Sequence, residues 1–340
     1  MKLVRFNEGR LGALLDDESV VDLNRAYAAY LASRGEPRPG KKAEALVPSD
    51  LLAFILEGAL GLERAAKAVE YVSGGRVEDS EGRRLLYSRE EYRLRAPLPS
   101  PSSKIAMAGA NFYDHSVDAF RMLRGEETTV EELRAQVERG EYRPWGFWKQ
   151  SCFVVDPEGE TPYPAKTRRL DYEVELAAVL GRRGKDIPET QASNYIYGYT
   201  ILNDLSIRDL GFGGGPDGFF LAKNFDGAAP MGPCLVTRDE IPNPYQLALK
   251  QWVNDELRQD GNMSSIIRGF EWWIAWLSRD ITLYPGDIVG GGTCSGTAMD
   301  QTPRVNGETD PRLFLKPGDR LTAWIEGIGT LRTWIAPKPQ

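Results

Sequence analysis

The sequence has few of the residues that build disulfide frameworks and zinc sites. Its 340 residues include three cysteines and one histidine. Cys152, Cys234 and Cys294 are far apart and odd in number, so they fit neither a disulfide framework nor the ligand spacing of a zinc site. This cysteine usage predicts a reducing, cytoplasmic location.

Long apolar runs and an excess of basic residues are also missing. No stretch approaches the roughly 18 apolar residues that a membrane span needs, and the N-terminus turns polar at Asn7, too early for a signal peptide. The formal net charge of -7 and the pI of about 5.1 argue against a nucleic-acid partner, because a polyanion would be repelled. We therefore expect no membrane or nucleic-acid partner.

Nucleotide-binding signatures are missing too, since no GxGxxG follows a strand and no P-loop occurs. Residues 1–97 predict a small α/β domain, in which a hairpin around residues 7–9 precedes a short strand and two helices. The turn-rich residues 97–103 are the predicted boundary. Residues 98–340 alternate short apolar strands with glycine and proline, which indicates an α+β fold with a mixed, mostly antiparallel core.

A charged segment, residues 116–142, has a helical pattern within this second part. Thr129 and Glu132 have the spacing of a capping box, and Gly140 marks an end. Such a segment fits either a mobile cover over a site or a surface insertion. The sequence leaves both alternatives open.

Acidic residues recur on one face of an apolar strand. Glu173 and Glu175 project to the same side because side chains alternate along a strand, and Asp171 precedes them on that face. A second apolar strand, residues 201–206, contains Asp204. Buried carboxylates repel each other and need a proton or a cation. Three of them suit Mg²⁺, Mn²⁺ or Ca²⁺ better than zinc, whereas the alternative is a solvated edge strand.

The single histidine, His115, follows a short apolar strand. If the charged segment begins as a helix, His115 and Asp118 share one of its faces. Asp118 would then accept a bond from one imidazole nitrogen and leave the other as a general base near neutral pH. The alternative is an exposed surface histidine, and the sequence around His115 does not decide between them.

Several short motifs follow one another in the second part of the chain. They are residues 111–115 (NFYDH), 171–177 (DYEVELA), 203–209 (NDLSIRD), 223–226 (KNFD), 292–296 (GTCSG) and 325–331 (IEGIGTL). No single motif is decisive, but the ordered set, over roughly residues 101–335, resembles the fumarylacetoacetate hydrolase family.

This resemblance implies a compact mixed β-roll in the catalytic domain, a smaller N-terminal domain and a homodimer. It implies a Mg²⁺-type cation held by three carboxylates, those of Glu173, Glu175 and Asp204. It also implies that Lys223 and Thr293 line the substrate pocket, with Arg208 beside the second metal-binding segment. The family's activities include hydrolysis of acylpyruvates, isomerisation and decarboxylation of 2-oxo acids, and tautomerisation.

Some positions depart from the family pattern. Phe112 replaces the usual tyrosine, Asn224 replaces the serine after the lysine, and Cys294 replaces the proline of the glycine turn. Gly211 stands where hydrolases of the fumarylacetoacetate type have a glutamine, and Ala108 stands where some members supply a further metal-binding acid. The metal residues therefore match the family, while the substrate-recognising shell matches no single activity.

The leading functional hypothesis is a metal-dependent hydrolase that cleaves a C–C bond in a 2,4-dioxo acid of the acylpyruvate type. The cation would bind the 2-oxo acid and stabilise an enolate. His115, oriented by Asp118, would activate water, and Lys223 and Arg208 would neutralise substrate oxygens. An isomerase, tautomerase or decarboxylase of a 2-oxo acid at the same site is one alternative. A non-catalytic, metal-stabilised binding protein is another.

Overall fold

The computed structural model describes residues 1–125, 127–210, 218–302 and 310–338. Its helices are α1 (Leu23–Ser33), α2 (Pro39–Leu46), α3 (Leu51–Leu56), α4 (Gly58–Ser73), α5 (Tyr113–Arg124), α6 (Val130–Glu138), α7 (Glu189–Ala192), α8 (Gly218–Ala222) and α9 (Phe270–Leu277). Its strands are β1 (Lys2–Phe6), β2 (Arg10–Leu14), β3 (Val20–Asp22), β4 (Leu86–Tyr87), β5 (Leu94–Arg95), β6 (Ile105–Gly109), β7 (Trp145–Lys149), β8 (Val154–Val155), β9 (Glu160–Pro162), β10 (Leu170–Asp171), β11 (Val174–Leu180), β12 (Ile196–Asn203), β13 (Ser206–Ile207), β14 (Ala229–Thr237), β15 (Ala248–Val253), β16 (Glu256–Asn262), β17 (Ile288–Thr293), β18 (Arg320–Ile325) and β19 (Gly329–Ala336).

The N-terminal segment begins with the predicted hairpin. β1 and β2 pair in antiparallel fashion, and both Asn7 and Gly9 in the turn have positive φ. The two predicted helices are present as α3 and α4, and the Asp50 side chain caps α3 by accepting from the Ala53 N–H at 2.8 Å. The sequence did not predict α1 and α2. α1 follows β3 without a loop, because Asp22 ends the strand and caps the helix.

The largest sheet has twelve strands, and its main path runs β4-β3-β2-β1-β14-β12-β11-β17-β6-β7. The neighbours in this path pair in antiparallel fashion except β17 and β6, which are parallel. A five-stranded sheet, β16-β15-β18-β19-β9, and a two-stranded sheet, β10-β13, complete the architecture. The mixed, mostly antiparallel α+β fold predicted from the sequence is confirmed, and the large sheet is open.

The large sheet crosses the predicted domain boundary. β1 pairs with β14 through Lys2 opposite Val236 and Leu3 opposite Leu235. One buried apolar cluster contains residues from both sides of the boundary, including Phe54 and Met231. The division into residues 1–97 and 98–340 stays a prediction.

β11 lies inside the large sheet, and all seven of its residues are buried. Val174, Leu176 and Ala178 on one face belong to the cluster that includes Phe270. Ala177 and Val179 on the other face belong to the cluster shared with the N-terminal segment. The glutamates at the start of β11 are therefore not on a solvated edge, so that alternative is wrong.

The charged segment forms two helices, α5 and α6. Thr129 and Glu132 make the predicted capping box, with the Thr129 Oγ1 accepting from the Glu132 N–H at 3.1 Å. Leu133 and Tyr113 belong to a small apolar cluster that joins α6 to α5. Gly140, with a φ of 73°, follows the end of α6 closely. Whether α5 and α6 move as a cover stays open.

No helix among the described residues is long and apolar enough to span a bilayer.

Candidate functional site

Three buried carboxylates meet at the ends of β11 and β12. Oxygens of Glu173, Glu175 and Asp204 all lie within 4.8 Å of one another. Their exposed fractions are 5%, 1% and 1%. The structure thus brings together the three residues that the sequence predicted as metal ligands.

The antiparallel pairing of β11 and β12 produces this arrangement. Val174 lies opposite Asn203, so Glu173 immediately precedes the paired region and Asp204 immediately follows it. The Asp204 N–H donates to the Glu173 carbonyl at 2.8 Å. Glu175 faces β17, where the Gly292 N–H donates to its Oε2 at 2.9 Å. A Cβ on Gly290 would lie 2.7 Å from the same oxygen, so Glu175 needs a glycine there.

Three cationic side chains surround the carboxylates. Lys223 Nζ donates at 2.7 Å to both Glu173 Oε2 and Asp204 Oδ2. Arg208 binds the other oxygen of Glu173 through Nη2 and binds Asp171 through Nε at 2.8 Å. The predicted Lys223 and Arg208 are thus at the site, where both contact the carboxylates.

A third cation, Lys149, was missed by the sequence analysis. Its Nζ lies 2.8 Å from Asp204 Oδ1 and donates to the backbone carbonyls of Lys223 and Ala228 at 2.5 and 3.0 Å. Its side chain is fully buried. Lys149 ends β7, far from the other site residues in sequence, and a lone lysine after an aromatic strand gives no signal of such a role.

The glutamates differ in their electrostatic environment. Burial by itself would raise the pKa of Glu173, but the charges of Lys223 and Arg208 outweigh it and hold that pKa well below its usual range. Burial raises the pKa of Glu175 well above its usual range, and the nearby charges of Asp204 and Glu173 add to this. Among the described residues, no ion pair to Glu175 is seen. A divalent cation would supply the missing positive charge.

His115 is buried beside this cluster, at 6% exposure, so the surface-histidine alternative is wrong. Its Nδ1 lies 2.8 Å from Oδ2 of Asp300, not of Asp118. The predicted His115–Asp118 bond is therefore wrong. Asp118 lies one turn along α5, where its side chain accepts from Ser295 and Arg121. The chain brings Asp300 to the imidazole from a turn 185 residues away.

Asp300 is well placed to orient the imidazole. Its Oδ2 also accepts from the N–H groups of Gly296 and Thr297, at 3.2 and 3.1 Å. Carboxylate oxygens accept hydrogen bonds, so in the neutral imidazole this contact favours the proton on Nδ1 and leaves Nε2 as the nitrogen that can accept a proton. Burial lowers the pKa of His115, but the charge of Asp300 and its hydrogen bond outweigh that effect and raise it above its ordinary value.

Asp171 anchors the turn that contains Asp300. Its carboxylate accepts from the N–H groups of Ala298 and Met299 at 2.8 and 3.1 Å, and from Arg208. β10 and β11 are separate strands, and Tyr172 between them packs in a different apolar cluster from Val174. Asp171 thus supports the site through Arg208 and the turn, and it does not join the group of three carboxylates.

Thr293 is held within the protein framework. Its Oγ1 donates to the Val174 carbonyl and accepts from Gln259 Nε2, both at 2.8 Å. These contacts fix β17 against β11. The role of Thr293 in lining the substrate pocket stays a prediction. Gly211, the position of the expected glutamine, lies outside the described residues.

Comparisons with known proteins agree with this arrangement. A family model described as fumarylacetoacetate (FAA) hydrolase C-terminal matches residues 104–336. Oxaloacetate tautomerase YisK of Bacillus subtilis (strain 168) is 33% identical over 332 residues, which are 97% of each chain.

Solved structures have the same fold over the whole chain. Fumarylacetoacetate hydrolase from psychrophilic Exiguobacterium antarcticum aligns with a TM-score of 0.70 at 25% identity, covering 99% of this chain and 100% of that one. Maleylpyruvate hydrolase from Sphingobium sp. SYK-6, crystallised with manganese(II) and pyruvate, aligns with a TM-score of 0.68 at 23% identity, covering 100% of both. The chain belongs to the fumarylacetoacetate hydrolase family.

Proposed function

We propose that this protein is a metal-dependent tautomerase that interconverts the keto and enol forms of a small 2-oxo acid. The observation behind this proposal is the juxtaposition of the Glu173, Glu175 and Asp204 carboxylates with the buried His115–Asp300 pair. The carboxylates would hold the cation, and the imidazole would move the proton.

The carboxylates fit a hard divalent cation. Mg²⁺, Mn²⁺ and Ca²⁺ prefer oxygen ligands, and all three residues supply them. Glu175 has no ion pair among the described residues, and burial raises its pKa, so a bound cation would stabilise its carboxylate form. When bound, a divalent cation supplies Lewis-acid stabilisation of the negative charge that develops on a 2-oxo oxygen.

The residues of the chain would then transfer the proton. His115 Nε2 takes a proton from the carbon next to the 2-oxo group, while Asp300 holds the other imidazole nitrogen. Lys223 and Arg208 balance the charge of Glu173 and limit the build-up of negative charge in a buried site. Return of the proton to oxygen completes the isomerisation, and no water is consumed.

Two observations favour tautomerisation over C–C hydrolysis. The relative that is 33% identical over nearly all of both chains is an oxaloacetate tautomerase. In addition, Gly211 stands where hydrolases of the fumarylacetoacetate type have a glutamine. Oxaloacetate is therefore the first substrate to test.

Cleavage of a 2,4-dioxo acid, the leading hypothesis from the sequence, is the second candidate. It needs the same metal–enolate chemistry plus an activated water, and the buried His115–Asp300 pair suits that task. Decarboxylation of a 2-oxo acid uses the same cation without water. The products separate these reactions, because hydrolysis gives two acids and decarboxylation releases CO₂.

The test compares metal-free protein with protein supplied with Mg²⁺, Mn²⁺ or Ca²⁺. Keto–enol conversion of oxaloacetate is followed by ultraviolet absorbance, and a panel of acylpyruvates is analysed for products by NMR. We expect metal-dependent conversion that Glu175→Gln abolishes and that Glu63→Gln, a change of an exposed glutamate, leaves intact. Metal binding without any of these reactions would leave the non-catalytic binding protein as the better account.

A further inference from the structure

Among the described side chains, the helix that contains His115 contacts its neighbouring turn mainly through polar groups. α5 faces residues 294–300, the turn that follows β17 and contains Asp300. Among the side chains that the structure describes, the apolar contact between them is one pair of residues, Ala119 and Met299. On its other side α5 packs against α6 through a larger apolar cluster. The hydrogen bonds to this turn therefore contribute to how firmly α5 holds His115 against Asp300.

Ser295 lies at the centre of these contacts. Its Oγ donates to Asp118 Oδ2 at 2.5 Å, and its N–H donates to Asp114 Oδ2 at 3.2 Å. Arg121 Nη2 donates to Asp118 Oδ1 at 2.8 Å and to the Asp300 carbonyl at 3.4 Å. Asp114, Asp118 and Arg121 have the spacing of one helix face, and Asp118, three residues from His115, is the member closest to the face of the imidazole.

The turn is the fixed member of this pair. Asp171 binds the N–H groups of Ala298 and Met299, and Thr302 Oγ1 donates to the Ala298 carbonyl at 2.5 Å. The Asp171 bonds connect the turn to the interior independently of α5, and the Thr302 bond stabilises the turn itself. Any loosening of the Ser295 contacts would therefore displace the helix and not the turn.

We propose that Ser295 is a positioning residue, which latches α5 through Asp114 and Asp118 and so keeps the His115 imidazole on Asp300. As a contribution to catalysis, this rests on the proposed function. As a statement about the helix, it stands by itself. In this proposal Asp118 does not bond to His115 as the sequence predicted. It accepts from Ser295 and so helps to set the position of α5, which contains His115.

The single histidine makes this latch measurable without substrate or metal. In protein without a histidine tag, the imidazole NMR signals report His115 alone. The charged groups that act on it are Asp300, Glu173 and Arg208, and Asp118 interacts with it as well. Ser295→Ala removes none of these groups, but it does remove the hydrogen bond that lowers the pKa of Asp118. A change in the pKa of His115 in that variant therefore reports a change of position when the amides of α5 exchange faster as well.

We expect Ser295→Ala to lower the pKa of His115 toward the ordinary value of about 6.5, because the imidazole spends time away from Asp300. Backbone amides of residues 113–121 should exchange several-fold faster with solvent. The control is Ser278→Ala, which removes a serine hydroxyl at the end of α9 that is buried and donates to the Ala275 carbonyl. It should change neither signal.

Asp118→Ala provides a second route if Ser295→Ala does not fold. In that variant the exchange rate of the same amides is the readout, because loss of the Asp118 charge alters the pKa of His115 directly. Unchanged exchange in the α5 amides, together with an unchanged pKa in Ser295→Ala, would overturn the latch. A protein without tautomerase activity that still shows both effects would refute the proposed function and leave the latch standing.

Discussion

His115 has a buried imidazole whose pKa is set by opposing effects. Burial disfavours the imidazolium form, and the Asp300 carboxylate, 2.8 Å from Nδ1, favours it more strongly. The net result is a pKa above the ordinary value. Since the proposed reaction needs neutral His115, activity should be lost as the pH falls through this raised pKa.

We predict that Asp300→Asn lowers the pKa of His115, because burial then acts without the compensating charge. The acid limb of kcat/KM should move to lower pH, and kcat should fall by roughly 10²–10⁴-fold, the range expected for a general base. The measurement is the pH dependence of metal-loaded enzyme from pH 5 to 9.

The raised pKa of His115 also makes the stability of the folded protein depend on pH. A raised folded-state pKa stabilises the protein below the ordinary pKa of about 6.5, and this stabilisation is lost as the pH rises through the folded-state pKa. Asp300→Asn should remove this pH dependence from denaturant titrations. The control is Asp287→Asn. Asp287 is also a buried aspartate, but it pairs with Lys104, so this change should leave the pH profile of kcat/KM as it is.

Lys149 balances a carboxylate in the interior of the protein. Its ammonium is fully buried and lies 2.8 Å from Asp204 Oδ1, while burial and the charge of Lys223 lower its pKa. Removal of one partner from a buried ion pair leaves an uncompensated charge. The stability of the buried Asp204 carboxylate therefore depends on Lys149, although Lys149 has no part in the proposed metal binding or proton transfer.

We predict that Lys149→Met destabilises the metal-free protein by about 3–5 kcal/mol. Added Mn²⁺ should stabilise this variant more than the wild type, because the cation replaces the lost positive charge. Urea denaturation with and without Mn²⁺ measures both effects. Lys104→Met breaks a more exposed lysine–aspartate pair and should lose less stability, with no extra gain from Mn²⁺. An equal gain in all three proteins would contradict this account.

The stability of helix α6 depends strongly on the hydrogen bonds of its first turn, because few of its residues are buried. It has nine residues, of which Leu133 and Val137 are buried. Isolated helices of this length are marginal in water, so the Thr129–Glu132 capping box contributes a large share of its stability. α6 in turn packs against α5, which contains His115.

We predict that Thr129→Ala costs α6 about 1 kcal/mol and speeds exchange of its backbone amides about fivefold. Hydrogen exchange followed by mass spectrometry measures this over residues 130–138. Ser88→Ala removes the corresponding hydroxyl of a second capping box, at residues 88–91, and serves as the matched control. Faster exchange in α6 after the Ser88 change would show that the effect is not local.

Elements with strong local signals were predicted well. The order Glu173, Val174, Glu175 identified which side chains share a face where β11 begins. Successive side chains of a strand point to opposite faces of the sheet. The Thr129–Glu132 spacing predicted the start of α6. By contrast, α1 and α2 were missed, since the first follows a strand directly and the second has a single buried residue, Ala43.

At the scale of the whole molecule, one sheet joins the two predicted domains. β1 and β14 share hydrogen bonds, and Leu3 and Leu235 contribute to one buried cluster with residues of the N-terminal helices. Removal of the first 97 residues would expose the edge of β14 and one face of that cluster. An apolar face of this kind favours aggregation over folding.

We predict that residues 98–340, produced alone, do not form a stable folded protein. Size-exclusion chromatography and near-ultraviolet circular dichroism should show aggregated or loosely packed material, with the full chain as the control. A soluble fragment that unfolds cooperatively would contradict this prediction and support the division at residue 97. The homodimer and the cytoplasmic location stay predictions.

Patterns along the chain were enough to predict the features that depend on neighbouring residues. The order of the motifs predicted the family, strand alternation placed Glu173 and Glu175 on a common face, and residue chemistry predicted a hard-cation site with Asp204. Tertiary structure alone decided which groups from distant segments meet. It brought Asp300 to His115 in place of Asp118, placed Lys149 against Asp204, and carried the sheet across the predicted boundary. Such pairings are set by how the strands and turns pack, and spacing along the chain does not record them.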